Sequence, residues 1–179
     1  MNNRKVVLYI SQSLDGFIAT NEDDLSWLSI VEKEGLDYGY NQILERCDTY
    51  LVGRKTYDVI LNLTGGDFPQ AKLFDCYVIT RQGRKAENGV IFYTGIIEDL
   101  IHELKSKPGK DIYCDGGGQI VKMLLDKNLI DEFIISIIPT ILGDGKRLFI
   151  GGSTPQNIEL KETERFETGV VQLRYNKKR

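Results

Sequence analysis

The sequence holds three cysteines, one histidine and four prolines among 179 residues, and each shortage closes a class of explanation. Cys47, Cys76 and Cys114 are widely spaced and make no Cys-x-x-Cys pair, so neither a disulfide framework nor a cysteine zinc site is expected. Free cysteine behaves as a small hydrophobe, and reduced thiols packed on apolar elements are the expectation. His102 is flanked by Ile97, Leu100, Ile101 and Leu104, which form the apolar stripe of a helix and leave the imidazole on the polar side. A metal centre or a serine–histidine dyad needs partners beside it, and none is supplied. Long apolar runs are missing as well: no stretch approaches the roughly 20 residues of a membrane-spanning helix. Met1-Asn2-Asn3-Arg4-Lys5 leads into an apolar run that reaches Ser11-Gln12-Ser13 too soon for a signal segment. A formal net charge of −3 lacks the cationic excess that broad nucleic-acid or anionic-membrane binding requires. The expectation is a cytoplasmic protein acting on a small molecule, with no nucleic acid, membrane or metal as partner.

What is present suits one domain over residues 1–179, with a hydrophobic share of 41% and a charged share of 27%. Short segments rich in β-branched and aromatic residues predict strands over Lys5–Ser11, Thr49–Val52, Cys76–Thr80, Val90–Tyr93, Asp111–Cys114 and Glu132–Ile138. Ile158–Phe166 and Val170–Tyr175 flank Glu167-Thr168-Gly169 and read as a closing hairpin. Helical patterns cover Leu36–Arg46, Lys55–Leu61, Ile96–Ser106 and Gln119–Lys127. Alternation of strands and helices predicts an α/β fold with a largely parallel sheet, joined by crossovers and edged by the hairpin.

Four segments carry the chemistry. In Ile112-Tyr113-Cys114-Asp115-Gly116-Gly117-Gly118-Gln119-Ile120-Val121 a strand runs through three glycines straight into a helix. Glycines let backbone approach a ligand, and a helix start offers N–H groups and a positive dipole end to phosphate. Val121 stands where the last glycine of the dinucleotide fingerprint belongs, which disfavours a Rossmann domain. In Thr49-Tyr50-Leu51-Val52-Gly53-Arg54-Lys55-Thr56-Tyr57 a second glycine opens a helix with two cations at its start. Cations there oppose the dipole unless an anion joins them, and Arg with Lys suits a phosphate monoester. Ser11–Ala19 ends the first strand in an Asp15-Gly16 turn, followed by a loop that reaches Trp27, either a core residue or a ligand contact. The fourth segment, Ile138–Phe149, is a glycine-rich loop carrying Asp144, Lys146 and Arg147.

In this order the four segments resemble the dihydrofolate reductase superfamily over nearly the whole chain. Leu14-Asp15-Gly16-Phe17-Ile18-Ala19 is similar to its first strand and mobile loop. Gly53-Arg54-Lys55-Thr56-Tyr57 is similar to its Gly-Arg-x-Thr-aromatic motif, and Gly116-Gly117-Gly118 to its pyrophosphate turn. The resemblance implies a mixed eight-stranded sheet, mostly parallel, with a C-terminal antiparallel hairpin and helices on both faces. Within the superfamily, Ser13-Leu14-Asp15-Gly16, Trp27, the acidic Asp115 and Pro139–Gly145 resemble the C-terminal reductase domain of bacterial bifunctional deaminase–reductases of riboflavin biosynthesis. The zinc-deaminase signatures His-x-Glu and Pro-Cys-x-x-Cys are absent, so the resemblance is to a stand-alone reductase.

What this implies is NADPH-dependent hydride transfer to a pyrimidine- or pterin-like substrate, as in 5-amino-6-(5-phosphoribosylamino)uracil reductase, by a homodimer. Dihydrofolate reductase activity and a non-catalytic NADP-binding module are the alternatives. Arg54, Lys55, Thr80 and Arg81 would hold the 2′-phosphate end. Gly116, Gly117, Gly118, Gln119 and Ile120 would hold the pyrophosphate. Ala19, Gly53 and Thr56 would flank the cofactor, and Asp115 and Trp27 would meet the substrate. The acid that dihydrofolate reductases use for protonation falls on Glu32 counting from Trp27 and on Asp37 counting back from Gly53. Between Trp27 and Gly53, Arg46 is the one candidate for the arginines that hold a ribose phosphate in the riboflavin branch.

Overall fold

The computed structural model describes residues 4–87 and 89–178. Strands β1 (Val6–Ser13), β3 (Cys47–Gly53), β4 (Asp75–Ile79), β5 (Val90–Tyr93), β6 (Asp111–Gly116) and β7 (Glu132–Ile138) lie parallel. The hairpin of β9 (Ile158–Arg165) and β10 (Val171–Lys177) adds two antiparallel strands, giving the order β5-β4-β3-β6-β1-β7-β10-β9. Helices α1 (Tyr40–Arg46), α2 (Arg54–Leu63), α3 (Ile97–Ser106) and α4 (Gly118–Asp126) make the crossovers. The mostly parallel sheet of eight strands follows the expected plan.

Residue alternation along the strands divides the core between the two faces. Val6, Leu8, Leu51, Ile112 and Cys114 pack on one side against Leu100, Ile101 and Leu104 of α3 and Val121 and Leu124 of α4. Val7, Tyr50, Val52 and Tyr113 point to the other, against Ile43 of α1 and Tyr57 of α2. Full burial of one such Leu or Ile contributes about 1.5–3 kcal/mol. All three cysteines are buried and free, and desolvation lifts their thiols to about 12, so they remain neutral packing groups. His102 is exposed on α3.

Two features depart from expectation. The helix predicted over Leu36–Arg46 starts only at Tyr40, because Tyr38 and Gly39 adopt left-handed backbone (φ 54° and 88°). Asp37 then accepts from the N–H groups of Gly39 (3.1 Å) and Asn41 (2.8 Å), competing with continued helix on its N-terminal side. A two-stranded ribbon, β2 (Phe17–Ala19) with β8 (Lys146–Arg147), was not anticipated. Among the described residues no helix is long and apolar enough to cross a membrane.

Candidate active site

Parallel strands send their carboxyl ends to one edge of the sheet, and in open α/β sheets that edge receives ligands. Gly53 pairs with Ile79, so Arg54 and Thr80 leave adjacent strands side by side, with Gly116 one strand away opposite Val52. Thr56 closes the gap: its hydroxyl accepts the N–H of Gly117 (3.1 Å). A Cβ on Gly53 would lie 2.9 Å from Ile120 Cγ1, so the first turns of α2 and α4 touch there because position 53 has no side chain.

No side chain caps either helix. The first-turn N–H groups of Gly118 and Gln119 lack intrahelical acceptors, the kind of group that suits an anion; Gln119 is exposed and Gly118 buried. The Gly116–Gly117 peptide is cis. Two expected backbone donors are already used: Gly117 N–H by Thr56, and Ile120 N–H by the Gly117 carbonyl at 2.9 Å. This corrects the pyrophosphate set, because Ile120 is a core residue whose amide closes the first turn. Arg54 is ion-paired with Asp58 one turn later, while Lys55 and Arg81 are exposed. Thr80 is buried, and its hydroxyl accepts from Gln82 N–H (3.2 Å) and donates to the Gln82 carbonyl (3.1 Å), shaping the turn that presents Arg81.

The remaining two segments clasp each other over this edge. Asp15 accepts from Ser13 Oγ (2.6 Å), Gly143 N–H (2.7 Å) and Leu142 N–H (3.1 Å), and these bonds, Ser13 first, hold its carboxyl below the usual range. Leu14 N–H donates to Thr140 O (2.8 Å) and Leu148 N–H to Gly16 O (3.1 Å). Arg147 lies over the Phe17 ring, 4.5 Å from its centroid. Ala19 is buried in the ribbon beside Gly145, where a Cβ would lie 2.3 Å from the Ala19 carbonyl. A Cβ on Gly118 would come within 2.4 Å of Arg147 O, so the clasp rests directly on the start of α4.

Asp115 sits half-buried just before the glycines, on the α1–α2 face. Tyr113 donates to its Oδ1 (2.8 Å), and Tyr50 donates to its Oδ2. Burial pushes the Asp115 carboxyl up from the ordinary range, against the opposing pull of the two phenols. Both phenols are held well above their usual range by burial and by the neighbouring carboxylate, so they remain donors. Tyr9 stacks edge-on to Tyr113 (5.9 Å between centroids) and lies 6.2 Å from Tyr40. In the sequence pattern Tyr9, Tyr50 and Tyr113 are strand residues and Tyr40 a helix residue; together they run from Asp115 to the adjoining cleft.

That cleft, of about 540 Å³, opens between α1, the segment before it, and strands β1 and β7. Ser11, Ser136, Glu32, Glu34, Asp37 and Tyr40 are among its lining. Glu32 and Asp37, the two candidate acids, thus line one cleft. Asp37, however, is fixed by the N–H groups of Asn41 and Gly39, which lower its carboxyl pKa and commit it to the turn. Trp27 is packed with Val31, Ile138 and Val170, the core alternative of the two expected for it. Arg46 lies at the opposite edge of the sheet, bound to Asp111 (2.7 Å) and Glu132 (2.9 Å), and holds no ligand position.

This architecture is that of a dihydrofolate reductase-like α/β protein. The chain belongs to the RibD C-terminal domain family, whose model matches residues 4–172. It is 37% identical to the uncharacterized protein YwjB of Bacillus subtilis (strain 168), covering 96% of this chain and 97% of that one. A protein of Shewanella sp. PV-4 assigned to riboflavin biosynthesis superposes with TM-score 0.89 at 29% identity, over 98% of this chain and 99% of its own. The deaminase/5-amino-6-(5-phosphoribosylamino)uracil reductase of Thermotoga maritima shares the fold with TM-score 0.73 at 17% identity; 98% of this chain covers 57% of it.

Proposed function

We propose that the chain is an NADPH-dependent reductase of a pyrimidine- or pterin-like heterocycle. The observation that carries this reading is the meeting of two uncapped helix starts, one glycine-rich and one basic, next to a caged carboxylate. The donor set fits the cofactor's chemistry. The N–H groups of Gly118 and Gln119 suit the pyrophosphate, while Arg54, Lys55 and Arg81 suit the ribose 2′-phosphate. When bound, the nicotinamide supplies a hydride; the chain supplies orientation and electrostatics. Asp115 holds the substrate through hydrogen bonds, and the Asp15–Gly143 clasp shelters the site from water.

Titration with NADPH and NADH tests the reading. Arg54→Ala should weaken NADPH by roughly tenfold, the scale of a charge-assisted bond, and leave NADH unchanged. Equal affinity of the native chain for both cofactors would remove the role given to the basic helix start. We also expect a cytoplasmic homodimer, which sedimentation of the purified chain reads directly for its oligomeric part. The dihydrofolate reductase alternative is weakened by the commitment of Asp37 to its turn.

A further inference from the structure

The electrostatics of the substrate side say what kind of molecule the cleft accepts. Its rim carries Glu32, Glu34 and Asp37. Lys33 is the cation among the lining residues, and its ammonium is 2.5 Å from Glu167. Beyond the rim, Tyr9 joins the cleft to the deeper site: its hydroxyl donates to Tyr38 O (3.3 Å) and its ring meets Tyr113. Burial, Asp37 and Asp115 all raise the Tyr9 pKa, so one phenol feels the carboxylates from both ends. Arg174 is the cation facing that phenol. It is held by Gln42 Oε1 (3.1 Å) and Gln172 Oε1 (3.3 Å), with Glu162 at 3.5 Å. Arg46, the candidate phosphate ligand, is spent at the far edge on Asp111 and Glu132.

We infer that the cleft selects a neutral or cationic, phosphate-free heterocycle whose N–H or O–H donors are taken by the Asp115 carboxylate. This rests on the proposed reductase reading and narrows its substrate. Tyr50 and Tyr113 each occupy one oxygen of Asp115 and fix its plane, leaving the remaining lone pairs to accept from a ligand. An amino-substituted pyrimidine edge offers such donors. A phosphate tail would bring two negative charges toward Asp37, Glu32 and Glu34, where Lys33, the cation of the lining, is already paired with Glu167, and like charges brought together are strongly disfavoured. Tyr50 and Tyr113 act here as positioning residues for Asp115.

The test compares 5-amino-6-(ribosylamino)uracil with its 5′-phosphate by calorimetric titration into the full chain, both free and loaded with NADP⁺. The phosphate-free compound should bind more tightly by roughly tenfold or more, and the gap should shrink as salt rises. In the double variant E32K/E34K the phosphorylated compound should gain affinity and the phosphate-free one should not. Asp115→Asn should weaken the phosphate-free compound by roughly tenfold, the scale of a hydrogen bond to a charged group. Equal affinity, preference for the phosphate, or failure of both compounds to bind would each overturn the inference. If NADP⁺ fails to bind, the reductase reading falls, and the titrations on the free chain still decide the substrate class.

Discussion

The two edges of the sheet treat polar groups in opposite ways. At the amino edge, buried Arg4 donates to Lys110 O (2.5 Å), Leu104 O (3.1 Å), Asp48 (2.5 Å) and Thr49 (2.6 Å). Arg46 bridges Asp111 and Glu132, and Lys105 pairs with Asp131 (2.5 Å). At the carboxyl edge, helix starts are uncapped, glycines replace side chains, and a carboxyl is buried with phenols in place of a cation. One edge satisfies its groups internally and stabilises the fold. The other leaves donors and acceptors unmatched at a cost in stability, the groups that the proposed function assigns to a ligand.

Three substitutions sharpen this contrast. Arg4→Ala strips the amino edge of a buried guanidinium and leaves its acceptors unpaired; urea unfolding should show a loss of about 3 kcal/mol. A loss within about 0.5 kcal/mol, normal for surface positions, would erase the distinction between the edges. Gly118→Ala pushes a Cβ against Arg147 O and should cost about 2 kcal/mol through overpacking. Its thermal midpoint should fall and NADPH binding should weaken with it, whereas an alanine tolerated without either change would detach the clasp from the helix start.

Asp115→Asn should act in the opposite direction and by the smallest amount. Burial raises the native carboxyl pKa, so between the unfolded value and that raised value the native state binds more protons, and stability falls as pH rises. The amide removes this term. The variant should therefore gain on the native chain as pH climbs through that window, and lose the advantage below the ordinary carboxylate range. Thermal melts across the acid range read it; parallel curves for both proteins would place Asp115 in a solvated setting.

Much of this was legible in the chain itself. Strands β3 to β7 follow from β-branched runs, and the glycine-led starts at Gly53 and Gly117 from local backbone requirements. Asp115 stood out as a charge before glycines. Its cage did not, because Tyr50 and Tyr113 are also good strand formers and nothing local reveals that their hydroxyls converge from two strands. Trp27 and Arg46 stayed open for a related reason: a residue type suited to ligand contact is equally suited to a core or an ion pair, and only tertiary packing decides. The β2–β8 ribbon joins residues far apart through main-chain bonds, which side-chain patterns hardly encode.

The position of β1 has a consequence for how the chain reaches this state. It is the first of the described strands in chain order and lies in the middle of the sheet, between β6 and β7. The Lys5 amide meets its acceptor on Asp111 106 residues later, and the Val6 amide meets Asp131 125 residues later. During synthesis, the strand that will become central has both of its hydrogen-bonding edges open until most of the chain has emerged. Closing the centre of the sheet thus requires long-range pairing, the kind of contact that slows folding, and Val6-Val7-Leu8-Tyr9-Ile10 is an apolar segment that such a delay leaves unpaired.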